Sequence, residues 1–352
     1  MCMIAGYNGT KEAAPILIEM MRKQEGLDGG FYTGIATFHE GKIYHAAACG
    51  DLTHLLETTN AAELPGTMGI IHTRTPTAKK RMPKEGALDE WAQPFISIKD
   101  GVITEAMLVN GCRGIFRESL DFRAVADELK ADGYFFRSAH PTCGNAELSD
   151  GTFCHATDIR CQLTAKKIAN GTDTSVAIEE TYTAYPLEAA SLLLSLSEPE
   201  AITYTRLVMP CHVAFADHGA FVASAPLAFP EETGGEYTLI PPMSSGKIYR
   251  NEFTSRKYKN PPATVAPITP EIVRFAYDKV EEILQTPHGF DEIGLGNDLK
   301  DLYAPADCTQ RATVFYQILT DLERKGRVQW ETRYAPGQQE GLEAPRFRMS
   351  LK

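Results

Sequence analysis

No stretch of the 352 residues approaches the ~18 uninterrupted apolar residues that a membrane helix requires. The N-terminus lacks the basic region followed by an apolar core that marks a secretory leader, so a cytoplasmic protein is expected. The eight cysteines, at 2, 49, 112, 143, 154, 161, 211 and 308, include no Cys-x-x-Cys pair, which argues against zinc ribbons and thioredoxin-like sites. No metal and no cofactor is expected, and in a reducing compartment most of these thiols should be small buried hydrophobes. Positive charge is also short. Thirty-five Lys and Arg stand against 46 Asp and Glu, a net charge of −11, the wrong sign for a chain whose main partner is a polyanion.

What is present is the composition of a soluble globular protein, 43% hydrophobic and 23% charged, long enough for one large domain or two unequal ones. Ile4 to Tyr7 reads as a strand that carries Cys2 into a core, and Glu12 to Lys23 as a helix. Strands follow at Tyr32–Phe38 and Lys42–Ala47 around a Glu40-Gly41 hairpin turn, with a short helix from Leu52 to Thr58. The strand from Gly66 ends on His72-Thr73-Arg74, before an exposed basic loop containing Lys79, Lys80 and Arg81. A strand pair turns at Asp100-Gly101, and its second member stops at Asn110-Gly111. Residues 121–131 form an amphipathic helix, and the turn-rich residues 138–154 read as an insertion. Ala156-Thr157-Asp158 should cap a helix, and Thr174 to Leu196 reads as one apolar helix. Strands return between Ile202 and Thr254. Strands, helices, then strands again is the order of an α+β fold in which two sheets pack between two helical layers, an αββα sandwich.

Four prolines, at 261, 262, 267 and 270, suggest a linker and a division into domains 2–258 and 268–352. Thr269-Pro270 opens a helix as N-cap and first position. A second helix runs from Thr309 to Lys325-Gly326, where Gly suits the C′ place. Val328, Trp330, Thr332 and Tyr334 alternate as a strand, and Arg346–Leu351 returns. Helix, helix, hairpin is a winged-helix pattern. From Ile268 onward eleven Lys and Arg face fourteen Asp and Glu, so nucleic acid is not the expected partner and protein contact is.

Four polar islands end strands or open helices: Cys2, His72-Thr73-Arg74 with Thr77, Asn110-Gly111, and Thr157-Asp158. Once Met1 is removed, Cys2 carries a thiol (pKa ~8.5 when free) and an α-amine (~7.7–8.0) on one residue. Such an amine can serve as the thiol's general base. Each island also has an ordinary reading: a solvated Arg, an Asn-Gly turn, a Thr-Asp cap. His72 reads as a structural, hydrogen-bonded histidine.

The stretches MCMIAGY, GGFYTGIA, GTMGIIHTRTPT, AMLVNG and FVASAPLAF together resemble the class II glutamine amidotransferases of the N-terminal nucleophile hydrolase fold. The closest pattern is the glutaminase domain of glucosamine-6-phosphate synthase, and the resemblance covers about residues 1–255. It implies that Cys2 is the nucleophile and its own amine the proton shuttle. It further implies that Asn110 and Gly111 form an oxyanion hole, that Arg74 and Thr77 hold the glutamine α-carboxylate, and that Asp158 meets the α-ammonium. Where the family has Gly after the nucleophile this chain has Met3, a bulky group expected beside the reacting centre. Where the family continues Trp-Ala-Thr-His-Gly it has Thr75-Pro76-Thr77-Ala78-Lys79. The expected partners are glutamine or a related amide, a separate synthase that accepts ammonia, and further copies of the chain in a homo-oligomer. The alternative reading is a non-catalytic sensor that binds glutamine or another amino acid and signals through the winged-helix-like domain. A third is hydrolysis of another amide.

Overall fold

The computed structural model describes residues 2–76, 89–112, 114–116, 120–292 and 306–352. Thr77 and the basic run Lys79–Arg81 lie outside the described residues. β1 (Met3–Gly9) leads into α1 (Ala13–Arg22) and the single turn α2 (Glu25–Asp28). β2 (Tyr32–His39) and β3 (Lys42–Ala48) form a hairpin, followed by α3 (Leu52–Thr58) and β4 (Met68–Arg74). β5 (Phe95–Lys99) and β6 (Val102–Cys112) form another, before α4 (Arg123–Ala131), the two-residue strands β7 (Ala146–Glu147) and β8 (Phe153–Cys154), α5 (Ala156–Ala169) and α6 (Thr174–Ala184). Strands follow as β9 (Glu188–Ser195), β10 (Ile202–Arg206), β11 (His212–Ala216), β12 (Gly219–Ala223), β13 (Thr238–Leu239), β14 (Ser244–Ile248) and β15 (Arg256–Lys257). The C-terminal part holds α7 (Pro270–Ile283), β16 (His288–Gly289), α8 (Arg311–Arg324), β17 (Val328–Pro336) and β18 (Glu343–Leu351).

Two antiparallel sheets face each other, in the orders β13-β11-β12-β1-β4-β2-β3 and β15-β14-β10-β9-β6-β5. Both early hairpins turn on residues in the left-handed region, Glu40 (φ 46°) with Gly41 (73°) and Asp100 (52°) with Gly101 (77°). Positive φ at both central residues is the type I′ geometry that matches the twist of the flanking strands. Successive side chains of a strand point to opposite faces. Along β1, Ile4 therefore joins Ile70, Leu192, Leu194 and Val222 between the sheets, while Met3, Ala5 and Tyr7 join Leu17 and Met21 under α1. The sheets come close at Gly6, where a Cβ would stand 3.2 Å from both Ile202 and Leu192 side chains. On the outer face of the second sheet, Met107, Val109, Ala189 and Leu193 pack with Cys161, Ile178 and Tyr182 of α5 and α6. The result is the expected α+β sandwich of four layers.

One expectation fails inside this frame. Thr174 to Leu196 is not one helix: α6 stops at Ala184, and residues 188–195 form β9 in the middle of the second sheet. Pro186 lacks the N–H that continued helix needs and drives Tyr185 toward extended backbone. The run Leu192-Leu193-Leu194 is buried on both faces, so it shows no alternation, and an apolar run of that kind fits strand and helix equally. The cap of α5 also shifts: His155 precedes the helix, and its Nδ1 accepts from the Thr157 N–H at 3.2 Å.

The proline-rich segment is not a loose tether. Ala266 N donates to Cys308 O at 2.9 Å and Cys308 N to Thr264 O at 3.0 Å. β16, β18 and β17 make a three-stranded sheet in that order, beside α7 and α8. Val314, Phe315, Tyr316, Ile318 and Leu319 of α8 share one core cluster with Met3, Tyr7 and Leu17. The fully buried guanidinium of Arg206, on β10, fastens the start of α8: it donates to Gln310 Oε1 at 2.7 Å and to Thr313 Oγ1 at 3.3 Å, as well as to the Met209 carbonyl at 2.7 Å.

Candidate active site

β1 is a central strand, paired with β4 through Met3↔Thr73 and with β12 through Ala5↔Ala223. Cys2 lies one residue beyond this ladder and Arg74 ends the opposing strand, so antiparallel pairing brings the two together. Cys2, Arg74, Gly111 and Thr157 line a single cavity of about 140 Å³. Each of the four sequence islands therefore contributes a residue, Cys2 meeting residues from β4, β6 and α5. Met3 does not crowd the thiol. The strand's alternation turns its side chain to the opposite face, fully buried under α8, where the Tyr316 hydroxyl donates to its Sδ at 3.5 Å. The bulky residue expected beside the reacting centre is part of the helical layer behind it.

Arg74 is held by planar groups. Its guanidinium carbon lies 4.7 Å from the Tyr32 ring centroid and 5.9 Å from that of Trp91, and Nη1 donates to the Trp91 carbonyl at 3.2 Å. His155 meets Trp91 edge-on at 6.2 Å and also lines the cavity. A Trp and a His thus lie near Arg74, though neither comes from the stretch that directly follows it. Two residues earlier, His72 is fully buried with Nε2 3.1 Å from Val109 O. Burial, then the Arg74 charge, lowers its imidazole to about 3, so it donates as a neutral group that ties β4 to β6.

Behind Thr73, the Glu25 carboxylate is buried and accepts from Leu52 N (2.8 Å) and Thr73 Oγ1 (3.1 Å). Burial, then Asp51, raises its pKa to about 7. The fold therefore favours protonated Glu25, while the unfolded chain releases that proton near 4.5. Between these values the native state binds the extra proton, so this group's contribution to stability falls as pH rises from the unfolded value through about 7. Glu25→Gln keeps the accepting oxygen and removes the titration. Its melting temperature relative to wild type should rise by several degrees between about pH 5 and about pH 8. A constant difference across that range in thermal melts would contradict the assignment.

On β6, the Asn110 side chain is fully buried and donates through Nδ2 to Ser224 Oγ at 3.1 Å; its Oδ1 has no partner among the described residues. Amide oxygen and nitrogen are assigned from their partners. In the exchanged orientation the Ser224 hydroxyl donates to the amide oxygen, and an NH₂ stands where the orphaned acceptor was. Ser224 Oγ also accepts from Ile4 N at 3.1 Å, and Gln24 donates to Ile4 O at 3.1 Å while accepting from Ala225 N at 3.3 Å. These two side chains hold the start of β1. Sequence reading assigned neither a role, although Ser224 falls within FVASAPLAF; their partners are hundreds of residues away along the chain in most cases, and only pairing across β1 shows them.

Asp158 is placed differently from Thr157. Its fully buried Oδ2 accepts from Ser138 N (2.9 Å) and Ser138 Oγ (2.8 Å), and Oδ1 from Gln162 Nε2 (3.1 Å). Burial raises its pKa against the opposing Ser138 N–H. Thr157 lines the cavity and Asp158 does not, because neighbours on a helix diverge by about 100°. Asn145, from the stretch read as an insertion, lines it too and fixes the start of α5, with Oδ1 accepting from Ala156 N at 2.6 Å. Thr77 lies outside the described residues. No cluster of three metal-ligating side chains occurs among the described residues.

No protein-family model matches the chain. Its sequence is 27% identical over 303 residues to a glutamine–fructose-6-phosphate aminotransferase (isomerizing) of Thermosynechococcus vestitus, covering 82% of this chain and 42% of that one. The enzyme of the same name from Pyrococcus horikoshii is 40% identical over 79 residues, 22% of this chain and 13% of its own. The chain spans less than half the length of these curated relatives. In structure it resembles the glutamine phosphoribosylpyrophosphate amidotransferase of B. subtilis, with a TM-score of 0.58, 15% identity, and coverage of 81% of this chain and 58% of that one. An allosteric regulatory enzyme of purine biosynthesis gives 0.56 at 16% identity, covering 80% and 57%. At such identities the structural likeness speaks for the fold, and the sequence likeness points to the same group. The chain is similar in sequence to the glutamine–fructose-6-phosphate aminotransferases, and it shares with its structural neighbours the αββα fold of the N-terminal nucleophile hydrolases.

Proposed function

We propose that the chain is a glutamine amidotransferase-type amidohydrolase with Cys2 as its nucleophile. The supporting observation is the shared cavity: a thiol at the end of a central strand, with Arg74 and Gly111 on its walls. Cys2 Sγ attacks the side-chain carbonyl carbon of glutamine, and the α-amine freed by removal of Met1 takes the thiol proton. The tetrahedral oxyanion is met by the Gly111 N–H and the Asn110 amide, whose orphaned buried atom supports a donor turned that way. The C–N bond breaks as the ammonium returns the proton to the leaving nitrogen, and ammonia departs. Water then attacks the thioester, giving glutamate and the free thiol. Arg74 suits the α-carboxylate because a planar guanidinium can meet both oxygens. Asp158 and Thr77 are the proposed partners of the α-ammonium and the carboxylate in the family manner; Thr157 is the α5 residue on the cavity wall. The ammonia would pass to a separate synthase.

Ammonia and glutamate released from glutamine, compared with asparagine, test the reaction directly. An intact mass showing loss of one methionine residue would supply the required amine; retained Met1 would remove the base from this mechanism. Asn110→Ala should lower kcat by about 10²–10³ with little change in KM, since an oxyanion donor acts mainly in the transition state. A KM effect with kcat preserved would assign Asn110 to ground-state binding. The C-terminal order of helix, short strand, helix and hairpin supports the winged-helix reading for that part of the chain.

A further inference from the structure

A much larger cavity, about 690 Å³, lies between the Pro226–Gly235 segment and α8, β17 and β18. That size is within the roughly 300–1,000 Å³ of ordinary small-molecule sites, which favour such junctions. Its wall is aromatic: Trp330 and Phe347 meet edge to face with centroids 5.7 Å apart, and Phe229 lines it as well. Its charges are unevenly engaged. Glu323 is taken by Trp330, whose indole N–H donates to Oε2 at 2.8 Å, and Glu231 stands exposed on the lining. Arg324 lies with its guanidinium carbon 5.3 Å from the Tyr237 ring centroid and forms no hydrogen bond or ion pair among the described residues. Lys23 donates to the Phe229 carbonyl at 3.2 Å, which uses one of its three N–H groups.

We propose that this groove is an effector site for a small planar aromatic anion, its ring against Trp330 and Phe347 and its anionic group on Arg324 and Lys23. Aromatic faces with two under-used cations are complementary to that chemistry and not to a neutral lipid. The route to the thiol is one helix. α8 lines the groove with Thr320, Glu323 and Arg324; one turn earlier, Tyr316 touches Met3, the neighbour of Cys2, and Thr320 Oγ1 donates to the Tyr316 carbonyl at 2.7 Å. A ligand drawing on the end of α8 therefore acts on a rigid element that backs the nucleophile strand. The coupling rests on Cys2 being the reactive thiol, while the binding does not depend on the amidase reading.

The probe is 8-anilinonaphthalene-1-sulfonate, titrated into the full-length chain and followed by its own fluorescence. Cys2 reactivity is read separately, as the rate of iodoacetamide labelling of the N-terminal peptide by mass spectrometry. We expect saturable binding at one site, weakened at least about tenfold in Arg324→Glu and Arg324→Gln and unchanged in the control Arg333→Glu. At a probe concentration that saturates wild type but not the Arg324 variants, bound probe should change the Cys2 labelling rate by about fivefold or more in wild type and Arg333→Glu. Equal affinity in wild type and both Arg324 variants would overturn the site. Binding with an unaltered labelling rate would overturn its role as an effector. Labelling needs only an accessible thiol, so a chain that fails to hydrolyse glutamine still gives an answer.

Discussion

Cys2→Ala is expected to bring glutamine hydrolysis to the uncatalysed background, a loss of at least about 10³-fold, while the protein stays folded. The two halves of that result have separate causes. In the proposed mechanism the thioester forms on Cys2, so removing its sulfur closes that covalent route. The fold survives because the sulfur borders an existing cavity and the strand is held elsewhere, by Ser224 Oγ on Ile4 N, Gln24 on Ile4 O, and Met3 under α8. Ammonia release by a coupled assay and thermal unfolding by circular dichroism measure the two halves. Turnover above background in the variant would place the nucleophile elsewhere, with Cys112 on the same cavity wall the first residue to test.

A chain ending at Lys259 is expected to lose cooperative folding, although its sequence spans all of the amidotransferase-like part. The cut removes Phe315, Tyr316, Ile318, Leu319 and Leu322, all buried in the cluster that contains Met3 and Tyr7. Burial of one such side chain is worth about 1.5–3 kcal/mol, and the five together are comparable to the ~5–15 kcal/mol by which domains are stable. It also strips Gln310 from the buried Arg206 guanidinium, and a buried charge that loses an acceptor is costly. Thermal melts of the truncated and full chains decide the matter. A cooperative transition in the shorter chain at an unaltered temperature would show two self-sufficient units joined by a tether.

Much of the architecture was legible in local signals. The I′ turns announced themselves as Glu40-Gly41 and Asp100-Gly101, and the start of α7 as Thr269-Pro270, whose hydroxyl accepts from Ile272 N at 3.3 Å. Each needs only dihedral preference and a nearby donor, and those are properties of a few adjacent residues. β9 was not legible, because a strand buried on both faces carries no period to distinguish it from a helix. His155 as a cap was missed because a histidine is an uncommon one.

For the site, the sequence by itself singled out polar residues at or near strand ends, Cys2, Arg74, and Asn110 with Gly111, although β6 runs on through Cys112. Chain order and residue type carry that much, since a strand's end is written in the residues that stop its apolar run. Only the tertiary structure decided which of them share a cavity, that Thr157 faces it while Asp158 turns to Ser138, and that Met3 backs the strand. The same holds for the C-terminal segment, whose composition suggests a separate unit and whose α8 completes the core behind the start of β1. The reason is physical. Which face a side chain takes depends on strand register and on the elements packed to either side, and those are set by contacts between residues as distant as Met3 and Tyr316.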